Sequence, residues 1–326
     1  MVISADKAFE KMDALSLQGK SFFFMLDFLV ENAVVVEEKD FGNEEIQFSF
    51  PNSNLSCSQS VSDAPFELLA FPEGIATYEK GFRHIQENLY LGNSYLANYT
   101  CKTPIQTSWS IQEIFKYSQA KYKIKFRDDF VCFSPETFIE IKENRIATHP
   151  MKGTIDATLP NAEYILKNDE KEKAEHYTVV DLLRNDLSQV AQKVRVKEFQ
   201  RIDSIKTHRG ELLGMSSEIE GMVKKNYQNK VGTILKTLLP AGSILGAPKP
   251  KTLEIILESE RFPRRWYTGV AGYFDGKNLD SCVMIRFVEK ENDQFFFRSG
   301  GGITHKSNVH DEYQEMRNKI YIPKVF

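Results

Sequence analysis

Between Tyr267 and Ile303 the chain alternates apolar runs with short polar turns: YTGVAGYF, DGKN, SCVMIRFV, ENDQ and FFFRS. Turns of that length leave no room for a helical crossover, so the runs read as an antiparallel meander. The beginning of the chain adds strand signals at Phe22 to Phe28, Ala33 to Val36 and Ile46 to Phe50. Helical periodicity lies between these blocks. Tyr78, Phe82, Ile85 and Leu89 share one face of a helix expected over Thr77 to Leu91, stopped by Gly92. A second helix is expected from about Glu170 to Gln189. A third follows Pro248 and Pro250 and carries Leu253, Ile256 and Leu257; a short last one covers DEYQEMRNKI. Blocks of strands mixed with separated helices predict an α+β fold with large antiparallel sheets. A doubly wound nucleotide fold is disfavoured, since no GxGxxG follows a strand and GxxxxGK[ST] is absent.

The 326 residues carry 42 Lys+Arg against 45 Asp+Glu, a formal charge of −3, with no face-long basic run. Nucleic acid is therefore not an expected partner. Nor is a membrane: the most apolar stretch, Ser21 to Val36, is short and interrupted by Asp27 and Glu31. The N-terminal segment lacks the apolar core of a signal peptide, which points to a cytoplasmic protein. Cys57, Cys101, Cys132 and Cys282 form no CxxC pair, so they read as reduced thiols rather than a zinc site. Residues 1–75 contain no diagnostic motif, with Pro51 to Pro65 read as an exposed connection. Residues 76–326 contain the chemistry-bearing segments, and the two parts are expected to form one compact unit.

Several segments have a composition that folding alone does not require. HPMKGT places Lys152 between a proline and a Gly-Thr turn that includes Thr154. A lysine on a rigid, partly buried turn can act as a nucleophile or base; taken singly, a plain surface lysine is the simpler reading. SGGGIT brings Gly300, Gly301 and Gly302 to the end of a strand, where backbone N–H groups can form an anion-holding turn. AGSILGAPK, with Gly246, Ala247 and Lys249, is a similar turn leading into a helix. Glu312, Glu315 and Lys319 share one helical face, and Glu175 adds a carboxylate from the long helix. Such carboxylates suit a hard divalent cation. Arg286, after an apolar strand, requires an acidic partner or a ligand carboxylate if buried. A pocket with magnesium, two anion-holding turns, an arginine and a lysine suits a small dianionic carboxylic acid.

In chain order, SPETF, HPMKGT, AEHYTVVDLLRNDL, AGSILGAPK, YTGVAGYF with DSCVMIR, SGGGI and EYQEMRNK resemble the chorismate-utilising enzymes, over roughly Tyr78 to Lys319. The resemblance implies large antiparallel sheets packed as a sandwich with helices outside. It also implies magnesium on the ring carboxylate of chorismate, held by Glu175 and Glu315 with Glu312 close by. Glu136 of SPETF matches the general acid/base. Arg286 and Tyr267 match residues that hold the enolpyruvyl carboxylate. The Gly246-Ala247 and Gly300 to Gly302 turns match backbone contacts to substrate, and Lys249 and Lys319 match further basic residues around the pocket. Lys152 resembles the aminodeoxychorismate synthase branch, in which lysine attacks the ring, whereas anthranilate synthases usually have alanine there. Isochorismate synthases use a lysine base at the position matching Leu96, which cannot deprotonate water. The resemblance thus implies replacement of the C4 hydroxyl of chorismate by ammonia from a separate glutamine amidotransferase subunit. Anthranilate synthesis, isochorismate synthesis and a non-catalytic chorismate-binding regulatory subunit are the alternatives. Leu96, Leu245 and Leu213 stand where relatives usually carry glutamine, threonine and histidine, with His208 the nearest histidine to the last.

Overall fold

The computed structural model describes residues 2–42, 45–53, 66–207 and 210–323; Cys57 and His208 lie outside them. The first strands are β1 (Val2–Ser4), β2 (Phe22–Leu26), β3 (Asn32–Glu37), β4 (Ile46–Ser49), β5 (Leu68–Ala70) and β6 (Ala97–Thr107). Then come β7 (Tyr122–Phe126), β8 (Phe130–Ser134), β9 (Thr137–Lys142), β10 (Arg145–Thr148), β11 (Met151–Asp156), β12 (Ala191–Thr207) and β13 (Gly210–Val223). The last are β14 (Val270–Phe274), β15 (Leu279–Val283), β16 (Phe287–Glu291) and β17 (Gln294–Ile303). The helices are α1 (Ala5–Leu17), α2 (Ile75–Tyr90), α3 (Ile111–Tyr117), α4 (Ala162–Asn168), α5 (Glu170–Val190), α6 (Val231–Leu238), α7 (Gly242–Leu245), α8 (Lys249–Ser259) and α9 (Val309–Asn318).

Two antiparallel sheets face one another. A ten-stranded sheet runs β1-β3-β2-β14-β15-β9-β10-β13-β11, with β12 also paired to β13. A seven-stranded sheet runs β4-β7-β8-β16-β17-β6-β5. Phe23, Met25, Ala271 and Cys282 from the first pack against Phe48, Tyr122, Phe130 and Cys132 from the second. Phe23 stacks on Phe48 with ring centroids 4.5 Å apart. The opposite face of β2 offers Phe22, Phe24 and Leu26 to a second core that contains Phe9 and Met12 of α1. Burial on both faces explains why β2 reads FFFML without polar alternation.

The expected meander is divided between the sheets. β14 and β15 belong to the ten-stranded sheet and β16 and β17 to the seven-stranded one, so SCVMIRFV is two strands rather than one. The crossing occurs at Met284 to Arg286, with Arg286 left-handed at φ 54°. Its flanks are apolar because both strands are buried, and no glycine or asparagine marks the break. The long β12–β13 hairpin was not legible either. Its charged residues and its register shifts at Gln192/Arg195, Val196/Glu198 and Glu198/Arg201 destroy a clean period of two. Among the described residues no helix is long and apolar enough to cross a membrane. Cys101, Cys132 and Cys282 are free and buried.

Across the sheet interface the Tyr122 hydroxyl donates to Asp280 Oδ1 at 2.7 Å. Burial pushes the Asp280 carboxyl up to about 6, so the folded protein binds its proton more tightly than the unfolded chain. Its contribution is complete below about pH 4 and is lost as pH rises through about 6. We expect Asp280→Asn to remove this dependence. In chemical denaturation, the stability of the variant relative to the parent should be about 2 kcal/mol greater at pH 8 than at pH 4.5. Parallel curves would show that the carboxyl is not titrating in the fold.

Candidate active site

Lys152 sits on a strand, not on the turn expected from HPMKGT. β10 and β11 run end to end along β13: Thr148 faces Ile219, Met151 faces Ser216 and Lys152 faces Met215. The next pair is Thr154 with Gly214, which leaves Gly153 as an extra residue in a bulge at φ +73°. A bulge re-aims the neighbouring side chain. It also brings α5 close, because a Cβ on Gly153 would lie 2.8 Å from Glu172 Oε2 and 3.0 Å from Leu166. Thr154, beyond the bulge, is exposed.

The glycine triplet is likewise strand rather than turn. Gly300, Gly301 and Gly302 pair with Thr100, Tyr99 and Asn98 of β6. β16 pairs with β17 only as far as Arg298, so from Ser299 onward the opposite backbone edge faces the site. Lys319 Nζ reaches that edge and donates to the Gly300 carbonyl at 2.8 Å and to Glu315 Oε1 at 2.6 Å. A Cβ on Gly302 would lie 3.2 Å from Leu96 Cδ1, 3.6 Å from Lys152 Nζ and 3.8 Å from Glu175 Oε2. Three remote segments therefore converge on one small backbone position.

Gly301 points the other way. A Cβ there would meet Glu315 Oε1 at 3.1 Å and Glu312 Oε2 at 3.4 Å. Glu312 is buried in α9, with the Ser307 hydroxyl on its Oε1 at 2.7 Å, and Glu175 is buried on α5. These oxygens are the donor type a magnesium ion takes, and buried carboxylates beside glycine backbone fit such a group chemically. They are not drawn into a cage. Among the described residues no three His, Cys, Asp or Glu side chains stand close enough together to hold an ion.

Glu136 lies between β8 and β9 and accepts the Ser243 hydroxyl on Oε1 at 2.8 Å, linking SPETF to AGSILGAPK. Gly246 takes φ +95°. Its neighbour Ala247 bridges to Leu96, and the Ala247 carbonyl accepts from Tyr95 N–H and the Ser94 hydroxyl, each at 3.0 Å. Arg286 Nε lies 3.3 Å from the Tyr321 hydroxyl. Burial pushes the Tyr267 phenol up to about 12, against the opposing fields of Arg264 and Arg286. Lys249 is committed to Asp186 at 2.9 Å and to the Leu238 carbonyl at 2.8 Å, which straps α8 to α5 and α6. Leu245 is buried in the core.

Two residues escaped the reading of the sequence. Glu172 was masked by the charge run that opens α5, although its three-residue spacing from Glu175 was a usable signal. His176, fully buried, places Nε2 2.7 Å from Ser217 Oγ, and burial pushes it down to about 4. A histidine does reach the serine-bearing strand β13, but from α5 rather than from the position of Leu213.

Residues 28–324 match the family described as chorismate binding enzyme. The chain belongs to the chorismate-binding enzyme family. This chorismate-binding enzyme is 48% identical over 307 residues to an uncharacterized PabA-like protein of Pasteurella multocida, covering 94% of this chain and 95% of that one. A second PabA-like protein, from Haemophilus influenzae, is 47% identical over 314 residues, 96% and 95% of the two chains. Anthranilate synthase component 1 of Bacillus subtilis is 35% identical over 221 residues, 65% of this chain and 42% of that protein. The sandwich recurs in the solved structure of a putative 2,3-dihydroxybenzoate-specific isochorismate synthase of Bacillus anthracis. The TM-score is 0.71 at 17% identity, covering 98% and 89% of the chains.

Proposed function

We propose that this enzyme replaces the C4 hydroxyl of chorismate by ammonia, giving 4-amino-4-deoxychorismate, the precursor of para-aminobenzoate in folate synthesis. One observation carries the reading: an amine, Lys152, and an apolar side chain, Leu96, stand together over Gly302 beside a buried carboxylate, Glu175. The amine is the nucleophile, and the leucine leaves no second base there to deliver water.

Lys152 Nζ, as the neutral amine, forms a bond to C2 while the ring double bonds C1=C2 and C5=C6 move to C1=C6 and C4=C5 and the C4–O bond breaks. Glu136 donates a proton to the departing oxygen, which leaves as water. Ammonia then adds at C4, both double bonds return to C1=C2 and C5=C6 as the C2–N bond to Lys152 breaks, and the extra proton on the new C4 nitrogen passes to the Glu136 carboxylate. Arg286 and Tyr267 hold the enolpyruvyl carboxylate, and the Gly246-Ala247 and Gly300 to Gly302 backbones, with Lys319, face the remaining substrate oxygens. Glu175, near Gly302, and Glu315 and Glu312, near Gly301, are the carboxylates that would hold magnesium, which would offset the negative charge of the ring carboxylate. None of the four cysteines lies in the Gly-rich turn of a glutaminase nucleophile, and Cys101, Cys132 and Cys282 are buried, with burial pushing their thiols up. Ammonia is therefore assigned to a separate glutamine amidotransferase subunit.

The test is product mass from chorismate, magnesium and excess ammonium at mildly alkaline pH. The expected product is about one mass unit lighter than chorismate, with the enolpyruvyl group retained. An isomer of unchanged mass would mean water attack. Pyruvate release with a fluorescent aromatic acid would mean anthranilate, the product named by the Bacillus relative.

A further inference from the structure

One buried ion pair lies behind the site, and its charged groups make no hydrogen bond to a side chain given a chemical role. Arg264 and Glu260 have side chains 1% and 5% exposed. Arg264 Nε donates to Glu260 Oε2 at 2.8 Å and Nη2 to Oε1 at 2.7 Å, a two-pronged pairing. Its position in the ladder gives it a purpose. β5 pairs with β6 at Ile105 to Thr107, and Phe71 N–H adds the Pro104 carbonyl, so among the described residues Asn98 to Thr100 have β17 on one side and no strand on the other. The ion pair fills that side. Glu260 Oε1 accepts the Thr100 N–H at 2.8 Å, and Arg264 Nη2 donates to the Asn98 carbonyl at 2.6 Å. An acceptor for residue i+2 and a donor for residue i are what a neighbouring antiparallel strand would present. Asn98 and Thr100 are the residues paired with Gly302 and Gly300.

The third arm of the guanidinium reaches the other half of the site. Arg264 Nη1 donates to Thr268 Oγ1 at 3.2 Å, and that hydroxyl in turn donates to the Tyr267 carbonyl at 2.6 Å. Thr268 is β-branched yet left-handed, at φ 61°, a conformation that persists only where surroundings impose it. Its N–H donates to the Met284 carbonyl at 2.8 Å, two residues before the left-handed Arg286.

We propose that Glu260 and Arg264 are positioning residues: the pair acts as a substitute strand for β6 and, through Thr268, sets the glycine edge in register with Tyr267 and Arg286. The proposal rests on reading those glycines, Tyr267 and Arg286 as substrate contacts. A buried ion pair by itself is a poor stabiliser, often neutral when replaced by apolar residues, so the reach of this one to two backbone segments, rather than its charge pairing, gives it a use.

The test is chorismate binding by calorimetry and steady-state turnover, far below each variant's unfolding temperature. Arg264→Lys keeps the charge but not the three-way fork, and should weaken binding about tenfold with kcat within about threefold. Thr268→Val keeps shape and β-branching, leaves the Arg264–Glu260 pairing in place while removing the acceptor for Nη1, and should also weaken binding about tenfold. Combining the two should cost little more than either alone, because they break one chain of contacts. Parental affinity in Thr268→Val, or in Arg264→Lys with a lowered Tm, would reduce the pair to a structural role and overturn the proposal. Effects that multiply in the double variant would overturn the linkage through Thr268. Binding needs no assumption about product, so a parent that binds chorismate but does not aminate it overturns only the proposed reaction. A parent that fails to bind chorismate overturns both.

Discussion

Lys152→Ala is expected to lower formation of the aminated product by about 10³-fold or more, with little change in stability. Covalent and acid–base contributions of a placed side chain run to about 10²–10⁴, and 10³ corresponds to about 4 kcal/mol of barrier. Among the described residues no other amine near Gly302 is free to take over. Lys319 is held by the Gly300 carbonyl and Glu315, and Lys249 by Asp186 and the Leu238 carbonyl. The side chain is only partly buried, on a bulged strand whose pairing with β13 is made by backbone, so its loss leaves the fold standing. Single-turnover product analysis by mass spectrometry checks this. Amination within tenfold of the parent would remove Lys152 from the chemistry, and a shift of the variant to an aromatic product would show that the lysine directs the fate of a shared ring intermediate.

Gly246→Ala is expected to cost about 3–5 kcal/mol, a large share of the ~5–15 kcal/mol that holds a domain together. Two terms add. The backbone at φ +95° is strained for any residue with a Cβ, at about 1–2 kcal/mol. The added Cβ would also stand 1.7 Å from the Leu96 carbonyl oxygen, where backbone rather than a flexible side chain must move. That carbonyl accepts the Ser94 hydroxyl at 3.1 Å, and Leu96 is bridged to Ala247, so yielding opens the Gly246-Ala247 turn, proposed above to face substrate, as well. Gly92→Ala is the control: φ is +75° but nothing lies within 4 Å, so it should show the strain term alone. Equal denaturation midpoints for the two variants would mean that the close approach at Gly246 does not matter.

The segments that carry the chemistry were legible because glycines, a proline-flanked lysine and spaced carboxylates have few uses in a core. Lys152, Glu175, Leu96 and the glycine triplet were each noticed in the sequence, and the fold brings these four to one point at Gly302. Their conformations were not legible there. Both HPMKGT and SGGGI read as turns in the sequence, because proline and glycine are the strongest local signals of a break. In the fold they are strands, since long-range pairing with β13 and β6 outweighs local preference. Arg286 reversed the error: an apolar run with no break signal contains the crossing between sheets.

The residues that hold others in place were the least visible. Glu260 and Arg264 look like one more charged pair at i,i+4 on a surface turn until burial is known. Ser243 gives no sign in the sequence that it meets Glu136, more than a hundred residues earlier. By itself the sequence determined the α+β class, the antiparallel pairing and the inventory of reactive groups, because hydrophobic period and turn length are local quantities that a chain expresses before it folds. Only the tertiary structure decided which side chains meet, which charges are desolvated and which backbone edges stay open. Those depend on contacts between segments far apart in the chain, and the free energies that select them do not exist until both partners are buried together.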